Sequence, residues 1–350
     1  MFLRSLSALS VSRFNPVEIA RKKKIRRRMY FAAGLAIAVG TFEFKFRECL
    51  SVVDNPSGIL NPHRLFFARL FFGRLRSAMI GSLAERKLPV SMRELVYGSY
   101  ARFTGVNLGE MRYPIDSYSS LQEFFSRPLK KNLRIPESTD PLCLVSPADS
   151  EIICCGDITE DRLPQVKGTT YSLRGFLGAQ ILKDNPQHLH QGTWKYVVLY
   201  LCPGDYHRFH SPTVFQLESA KHFSGEVLSV NKQSLALLND VFSVNERVVL
   251  AGTWSQGAMY YAAVAAHGVG NITLSFEKKL RTNDVRTVPV YCGGDVRNRV
   301  FDEKFEHGTE IGTFKLGSTI VLIFEASSNM QWAVKPGDKV KVGQLLLEKK

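Results

Sequence analysis

A serine that directly follows a glycine is the first candidate for chemistry, within Leu316-Gly317-Ser318-Thr319. Gly317 lacks a Cβ and accepts backbone conformations that other residues avoid. The Ser318 hydroxyl lies one peptide bond after the Gly317 carbonyl, an arrangement in which a serine can attack its own backbone. The alternative is a plain Gly-Ser turn, because the apolar run from Thr319 to Phe324 predicts a buried strand directly afterwards.

Two histidines, His207 and His210, are the candidates for a base that would activate this serine. A serine hydroxyl is a weak nucleophile until a base takes its proton, and a carboxylate often holds that base in the required tautomer. Both histidines lie in the turn-rich segment 202–212. A strand would send their side chains to opposite faces, whereas a turn would let them converge. Their spacing also suits a metal pair, but no third ligand cluster accompanies them in the sequence, so we expect no metal site.

The carboxylate candidate is Asp149, in the sequence Ser-Pro-Ala-Asp-Ser over residues 146–150. An aspartate in such a turn commonly accepts hydrogen bonds from its own backbone. Taken alone, the residue therefore fits a structural role better than a catalytic one.

Length and charge limit the classes of protein to which this chain can belong. A chain of 350 residues with 45% hydrophobic content suggests about two domains and a full-sized core. The net charge is +14, but residues 1–28 contain nine Lys or Arg and one acid, which together contribute +8. The rest of the chain carries +6, which does not indicate a nucleic-acid partner. The six cysteines form no Cys-x-x-Cys pair, so neither zinc nor a disulfide framework is expected.

The N-terminal region has the pattern of a targeting and membrane segment. Residues 1–28 form a basic targeting or flanking segment, and the first 14 of them contain two arginines, four serines and no acid, as mitochondrial transit peptides do. Residues 29–46 are a candidate membrane segment, which as a helix would cover about 27 Å of the roughly 30 Å of hydrocarbon in a bilayer. The basic flank predicts that the N-terminal side of this segment faces the positive-inside compartment. A short single span is favoured over a buried helix.

Residues 47–139 are predicted to be a mainly helical, membrane-proximal region. Ser91 and Ser120 each start a capping-box sequence, which predicts that a helix begins there. The segment 65–79 is rich in Phe and Leu but is interrupted by arginines. It fits equally a helix that lies on anionic lipid and one that packs on its neighbours.

Residues 140–350 are predicted to form a β-rich domain of barrel or sandwich type, so the fold class is α+β with a helical membrane-associated N-terminal region. Short runs of β-branched and aromatic residues alternate there with Gly, Pro and Asn. Pro289 restricts one run to an edge strand or a broken strand. The predicted strands are Lys195–Cys202, Arg247–Gly252, Met259–Ala266, Ile272–Phe276, Val285–Tyr291 and Thr319–Phe324.

Three of these segments, in this order, resemble the phosphatidylserine decarboxylase proenzymes and are most similar to the mitochondrial form of animals. They are Ser-Pro-Ala-Asp at 146–149, Pro-Gly-Asp-Tyr-His-x-x-His at 203–210 and Leu-Gly-Ser-Thr at 316–319. Ser150 stands where the family usually has glycine. The resemblance covers roughly residues 90–326 and extends through the segments 124–129, 166–173, 244–247 and 281–284.

The resemblance implies that the chain cuts itself between Gly317 and Ser318, into a β chain of residues 1–317 and an α chain of residues 318–350. In that scheme His210, oriented by Asp149, takes the Ser318 proton, and the ester that forms is expelled by β-elimination. Ser318 then becomes a pyruvoyl group at the start of the α chain. Thr319 is a further candidate for holding the oxyanion.

The implied activity is that of a pyruvoyl-dependent carboxy-lyase. The pyruvoyl group derived from Ser318 forms a Schiff base with phosphatidylserine and releases CO2, which leaves phosphatidylethanolamine. His207 is implied to act in the decarboxylation step. No metal or external cofactor is expected.

The expected partners are phosphatidylserine in a membrane and the cleaved α and β chains as a heterodimer, with no nucleic acid. The expected location is the mitochondrial inner membrane, with the catalytic domain facing the intermembrane space. Two other functions remain open. One is a non-enzymatic, membrane-tethered β-domain, and the other is a pyruvoyl-dependent decarboxylase of another amino acid derivative.

Overall fold

The computed structural model of the chain describes residues 73–158, 162–164, 170–178, 193–230, 241–266, 271–290, 294–315 and 317–350. The predicted targeting segment and the candidate membrane segment, residues 1–46, lie outside these ranges. Within the described ranges, no helix is both long enough and apolar enough to cross a bilayer.

The two longest helices of the described ranges come first and lie in the region that was predicted to be mainly helical. Two short 3-10 turns follow them, at Leu108–Glu110 and Ile115–Ser117. The α-helices of the described ranges are α1 (Arg74–Glu85), α2 (Val90–Thr104), α3 (Leu121–Phe125), α4 (Leu173–Leu177) and α5 (Val241–Val244).

Both helices that the capping boxes predict are present, but only one of the two predicted caps forms. The Ser120 hydroxyl accepts a hydrogen bond from the Glu123 backbone N–H at 3.2 Å, which caps α3 as expected. Helix α2 instead begins at Val90, so Ser91 lies inside it and caps nothing. Pro89 occupies the N-cap position and has no side-chain oxygen with which to accept a hydrogen bond.

Helix α1 packs through its first residue and exposes apolar side chains elsewhere. The guanidinium of Arg74 is buried and donates to the carbonyl oxygens of Thr287, at 2.8 Å, and Asp284. Leu75 and Met79 are exposed on the same helix. The described part of the segment 65–79 therefore packs on its neighbours with one face and presents apolar side chains on another.

The rest of the described chain is dominated by strands, which confirms the predicted β-rich domain. Short turns and irregular segments separate the strands. The strands are β1 (Leu144–Val145), β2 (Ser150–Asp157), β3 (Arg162–Pro164), β4 (Thr170–Ser172), β5 (Thr193–Leu201), β6 (Arg208–His210), β7 (Phe215–Phe223), β8 (Arg247–Trp254), β9 (Gly257–Ala265), β10 (Ile272–Leu274), β11 (Val296–Phe305), β12 (Glu310–Phe314), β13 (Ser318–Ala326), β14 (Met330–Trp332), β15 (Lys339–Val340) and β16 (Leu345–Lys349).

Eight of these strands form one antiparallel sheet, in the order β11-β7-β8-β9-β13-β5-β2-β15. Two three-stranded sheets, β10-β12-β6 and β1-β16-β14, contribute side chains to the same hydrophobic core as the large sheet. Phe209 and Phe314 of the first small sheet lie in that core with Ile320 and Leu322 of β13. The small sheets therefore cover one face of the large sheet.

Strand β13 lies in the middle of the large sheet and is buried along its whole length. It pairs with β5 on one edge and with β9 on the other, without a break in register on either side. All nine of its residues are buried, which accounts for the continuous apolar run in the sequence.

The predicted strand Val285–Tyr291 is wrong for its described residues, 285–290, which form turns and irregular structure. The Asp284 carboxylate accepts a hydrogen bond from the Arg286 backbone N–H at 3.0 Å, which stabilises a local turn. Pro289 has no N–H to give to a strand ladder. Local polar bonding therefore outweighs the β propensity of the valines.

Replacement of Gly252 by alanine is expected to destabilise the large sheet strongly. A Cβ at this position of β8 would lie 1.9 Å from the Gln216 carbonyl oxygen, opposite an irregularity in β7, so backbone would have to move. We expect Gly252→Ala to cost at least about 2 kcal/mol in the free energy of unfolding. The midpoint of thermal unfolding measures this change.

The matched control is Gly98→Ala in helix α2. A Cβ there would meet no atom within 4 Å. Alanine is favoured over glycine inside a helix by about 1 kcal/mol, so the midpoint should rise or stay constant. Equal losses of stability in both variants would contradict the packing described for Gly252.

Candidate active site

Ser318 is held by the backbone ladders of β13. As the first residue of that strand, it lies opposite Leu201 of β5 and Ala265 of β9. Its side chain shares a face with Ile320 and points to the core side of the sheet, because strand side chains alternate. The residue is 0% exposed, and its hydroxyl has no hydrogen-bond partner among the described residues. Such an unpaired buried hydroxyl is unfavourable for folding and is a mark of a functional position.

Gly317 presents its carbonyl group to the neighbouring strand. Its φ of 52° lies in the left-handed region, which glycine enters without the steric cost that a Cβ would add. The backbone N–H of Ala266, just after β9, donates to the Gly317 carbonyl oxygen at 3.2 Å. A donor at this position stabilises negative charge that develops on the oxygen when a nucleophile attacks the carbonyl carbon.

His207 lies beside the end of β12, the strand that leads to Ser318. Its carbonyl oxygen accepts a hydrogen bond from the Phe314 N–H at 2.9 Å, and its ring packs on Phe125 with the ring centroids 4.0 Å apart. His207 Nδ1 lies 2.9 Å from the Asp205 carbonyl oxygen. Because a carbonyl can only accept, Nδ1 carries the proton and Nε2 carries a lone pair.

The Nε2 atom of His207 is buried and has no hydrogen-bond partner among the described residues. Burial lowers the pKa of His207 to about 3, and the nearby positive charge of Arg127 acts in the same direction, although the bond to Asp205 opposes both. The imidazole is therefore neutral at physiological pH. The free Nε2 can accept a hydrogen bond from a hydroxyl group, although the lowered pKa makes it a weak base in the intact chain.

His210 is the last residue of β6, whereas His207 directly precedes that strand. In the strand pairing, His210 lies opposite Glu310 of β12. Its Nδ1 donates to the Gly308 carbonyl oxygen at 2.8 Å, so its Nε2 accepts the Tyr206 hydroxyl at 3.1 Å. Burial lowers the pKa of His210, while the negative charges of Glu310 and Asp149 oppose this shift. Both ring nitrogens of His210 are thus engaged in the intact chain.

Asp149 is held by an arginine that the sequence did not single out. Arg134 donates to both carboxylate oxygens, at 2.9 and 2.6 Å, and the Val342 backbone N–H donates to Oδ1 at 2.8 Å. The His210 backbone N–H donates to the Pro147 carbonyl oxygen at 2.8 Å, which ties the two segments together near Asp149. Within the described residues, no hydrogen bond joins Asp149 to the His210 ring. The carboxylate acts on His210 through its charge.

The structure brings Gly317 and Ser318 together with a backbone donor and places His207 next to the strand that precedes them. It links Asp149 and His210 through neighbouring backbone, and no hydrogen bond among the described residues joins either histidine to Ser318. Thr319 lies on the other face of β13, with a buried hydroxyl that also has no partner among the described residues. Sequence reasoning missed Arg134 and the Ala266 N–H. Neither has a sequence signal, since any arginine or backbone amide would look the same.

Acid is expected to destabilise the fold through His207. Its folded-state pKa lies below the unfolded value of about 6.5, so the unfolded chain takes up a proton first as the pH falls. The contribution of this histidine is fully present above about pH 6.5. It is then lost at up to about 1.4 kcal/mol per pH unit as the pH falls towards about 3.

The thermal midpoint of a Ser318→Ala chain, which should stay in one piece, measures this effect at pH 7.5 and pH 5. We expect the drop in midpoint between these values to shrink when His207→Asn is added. His307→Asn serves as the control for loss of an imidazole elsewhere. An unchanged pH dependence in the His207 variant would contradict the buried, neutral state of that ring.

Comparison with known proteins identifies the family. The family model described as phosphatidylserine decarboxylase matches residues 121–348. The chain is 45% identical over 309 residues to the phosphatidylserine decarboxylase proenzyme 1, mitochondrial, of Toxoplasma gondii. The aligned residues cover 87% of this chain and 72% of the relative. It is 37% identical over 319 residues to the phosphatidylserine decarboxylase proenzyme of Plasmodium falciparum, covering 90% of this chain and 88% of the relative.

A mitochondrial animal relative is also matched. The phosphatidylserine decarboxylase proenzyme, mitochondrial, of Rattus norvegicus is 36% identical over 300 residues, which cover 78% of this chain and 71% of the relative. The resemblance seen in the short motifs is therefore confirmed over most of the chain. The chain belongs to the phosphatidylserine decarboxylase family.

Proposed function

We propose that this chain is a phosphatidylserine decarboxylase proenzyme that cuts itself between Gly317 and Ser318 and then converts phosphatidylserine to phosphatidylethanolamine. The observation that carries the proposal is the buried, unpaired Ser318 hydroxyl, which directly follows a carbonyl hydrogen-bonded by Ala266. Membership of the family supplies the reaction.

The self-cleavage begins with attack of Ser318 Oγ on the Gly317 carbonyl carbon. The Oγ–C bond forms, the C–N bond to Ser318 breaks, and the proton lost from Oγ ends on the freed nitrogen. A base then removes the Ser318 α-proton, the Cβ–Oγ bond breaks, and Gly317 leaves with a carboxylate. Tautomerisation and hydrolysis by one water release ammonia and leave a pyruvoyl group at position 318.

We assign the first proton transfer to His210, assisted by the charge of Asp149, and the decarboxylation step to His207. The family motifs support this assignment. The negative charge of Asp149, which raises the pKa of His210, agrees with it. One observation favours the exchanged roles. His207 Nε2 is buried with a free lone pair, whereas His210 Nε2 accepts the Tyr206 hydroxyl.

The residues around Ser318 fit a pyruvoyl group formed in place. The side chain is small and buried, its hydroxyl has no partner to lose among the described residues, and β5 and β9 hold the start of β13 from both sides. A pyruvoyl group supplies a carbonyl that accepts electrons when an amine-bearing substrate loses CO2.

The position of β13 supports a stable heterodimer after cleavage. The α chain, residues 318–350, would contribute β13–β16, and the β chain would contribute the flanking strands β5 and β9. Strand β13 is hydrogen-bonded on both edges and buried on both faces, so its release would expose apolar surface on two partners. The two chains should therefore stay associated without a covalent link.

A mitochondrial location is supported by the names of the Toxoplasma gondii and Rattus norvegicus relatives, both of which are mitochondrial proenzymes by name. We further propose the inner membrane, with the catalytic domain facing the intermembrane space. The basic segment 1–28 before the apolar run 29–46 supports this orientation. Exposed apolar side chains on helices α1 and α2, such as Leu83, Leu95 and Phe103, suit contact with lipid.

Ser318→Ala is expected to leave a single, uncut chain without decarboxylase activity. Alanine has no hydroxyl with which to attack Gly317 and cannot become a pyruvoyl group. Intact-mass measurement on the purified wild-type protein should show two pieces, the smaller of 33 residues without a free N-terminal amine. Ser327→Ala, an exposed serine just beyond β13, is the control and should be cut as the wild type is.

A single uncut wild-type chain would rule out the proenzyme function and favour a non-enzymatic β-domain. A wild type that is cut but does not release CO2 from phosphatidylserine in vesicles would indicate another amino acid derivative as substrate. Both measurements use the same preparation, so the outcomes are directly comparable.

The roles of the histidines are separable by substitution. We expect His210→Ala and Asp149→Asn to slow self-cleavage by at least about 100-fold, as loss of a general base does. His207→Ala should still be cut but should lose decarboxylation per pyruvoyl group by a similar factor. If His207→Ala stays uncut while His210→Ala is cut, the two roles are exchanged.

A further inference from the structure

Asn245, in the turn between helix α5 and strand β8, is a fully buried polar residue without an assigned role. Its side-chain amide donates to the carbonyl oxygens of Leu228 and Ala265, each at 2.9 Å. Its Oδ1 accepts the Leu228 backbone N–H at 2.9 Å. The side chain is 0% exposed, so these bonds fix its orientation.

The bond from Asn245 to Ala265 reaches the peptide group that contacts the proposed cleavage site. That peptide group joins Ala265 to Ala266, and the Ala266 N–H is the donor to the Gly317 carbonyl oxygen at 3.2 Å. The C=O and N–H of one peptide group share delocalised electrons. A donor on the Ala265 oxygen therefore makes the Ala266 N–H a stronger donor towards Gly317, because hydrogen bonds in a chain polarise one another.

The backbone on either side keeps this arrangement in place. The Ala265 N–H donates to the Glu246 carbonyl oxygen at 2.8 Å, and the Glu246 N–H donates to the Glu226 carbonyl oxygen at 2.7 Å. A Cβ at Gly225 would lie 2.4 Å from the Val244 carbonyl oxygen. The backbone at Gly225 and the backbone at Val244 therefore lie too close together for a side chain between them. Asn245 is thus held on a rigid frame beside the end of β9.

We propose that Asn245 is a positioning residue for the self-cleavage, which orients and polarises the Ala266 N–H so that it stabilises the oxyanion on Gly317. The inference rests on the proposed cleavage at Gly317–Ser318. In the attack, the Oγ–C bond forms and the carbonyl π electrons move to the Gly317 oxygen, where Ala266 faces them. When the C–N bond breaks, those electrons return to the carbonyl, so Asn245 neither gains nor loses a proton.

The arrangement leaves room for the bond to strengthen during the reaction. At 3.2 Å the Ala266–Gly317 bond is long for an N–H···O contact in the intact chain. A developing negative charge would shorten it, and donors that bind the transition state better than the ground state accelerate a reaction. The effect of Asn245 should therefore appear in the rate of the acyl shift.

The test compares the self-cleavage rates of Asn245→Asp and the wild type in freshly translated full-length chain. Aspartate has nearly the same shape but has no side-chain N–H, and when ionised it has no hydrogen to donate to Ala265. We expect cleavage at least about 10-fold slower, since loss of a whole oxyanion donor costs about 100-fold or more. Decarboxylation per pyruvoyl group should stay within about twofold of wild type, because after cleavage Gly317 is no longer bonded to residue 318 and takes no part in that step.

Hydroxylamine identifies the slow step. It attacks esters rapidly and amides slowly, and would release a smaller fragment that keeps an N-terminal serine. If Asn245 promotes ester formation, hydroxylamine should not restore fast cleavage in Asn245→Asp. Rapid release by hydroxylamine in that variant would show that the ester forms normally, and would overturn the proposal.

Two further variants separate the proposal from loss of folding. Glu246→Gln alters the neighbouring buried side chain, whose carboxylate accepts hydrogen bonds from His222 at 2.7 Å and from the Asn283 N–H at 2.8 Å, and not from Ala265. It should be cut at the wild-type rate. Asn245→Ser keeps one hydroxyl donor and should be cut at an intermediate rate. If Asn245→Asp shows no cooperative thermal transition, and so is not folded, the test rests on Asn245→Ser.

The outcomes distinguish this inference from the proposed function. A wild-type chain that is not cut overturns both. A wild-type chain that is cut, together with folded Asn245→Asp or Asn245→Ser chains that are cut equally fast, overturns only the role of Asn245.

Discussion

The pairing of β13 on both of its edges is the constraint on which the rest of the structure depends. The ladders to β5 and β9 run without a break from Ser318 onwards. A slip by one residue would turn every side chain of the strand to the other face of the sheet. The same ladders set the Gly317 carbonyl opposite the Ala266 N–H, so the stability of the core and the geometry of the proposed cleavage share one cause.

Several buried polar atoms near this end of the sheet lack a hydrogen-bond partner among the described residues. The stability of the sheet must offset their unfavourable free energy. The hydroxyls of Ser318 and Thr319 and the Nε2 of His207 are buried without a hydrogen-bond partner in the described part of the chain. Each such group costs about 1–3 kcal/mol. A central strand that is apolar on both faces offsets these costs. Partners added here would stabilise the fold but would occupy the groups that the proposed chemistry needs.

The sequence predicted the strands that are buried on both faces, and also the short β10, whose middle residue is half-buried, but it missed most of the others. Continuous apolar runs marked β5, β8, β9 and β13 to within a few residues. Strand β11, at the edge of the large sheet, is mostly exposed and rich in charged residues, so it carries no apolar signal. Residues 285–290 have the composition of a strand but form none. A local turn at Asp284 and the missing N–H of Pro289 decide their conformation.

The sequence by itself determined the family, and it supplied the residues of the proposed chemistry and the proposed scissile pair, because these depend on residue types at fixed spacings. Only the tertiary structure decided their partners: Arg134 on Asp149, Tyr206 on His210, and the route from Asn245 through the peptide after Ala265 to Gly317. Most of these contacts join segments far apart in the chain. The bond from Ala266 to Gly317 follows from the register of β9 and β13, whereas the bonds of Arg134 and Tyr206 depend on how segments outside the strands fold beside the sheets. A hydrogen bond to a backbone atom, such as that from Asn245 to Ala265, leaves no trace in the type of residue that accepts it.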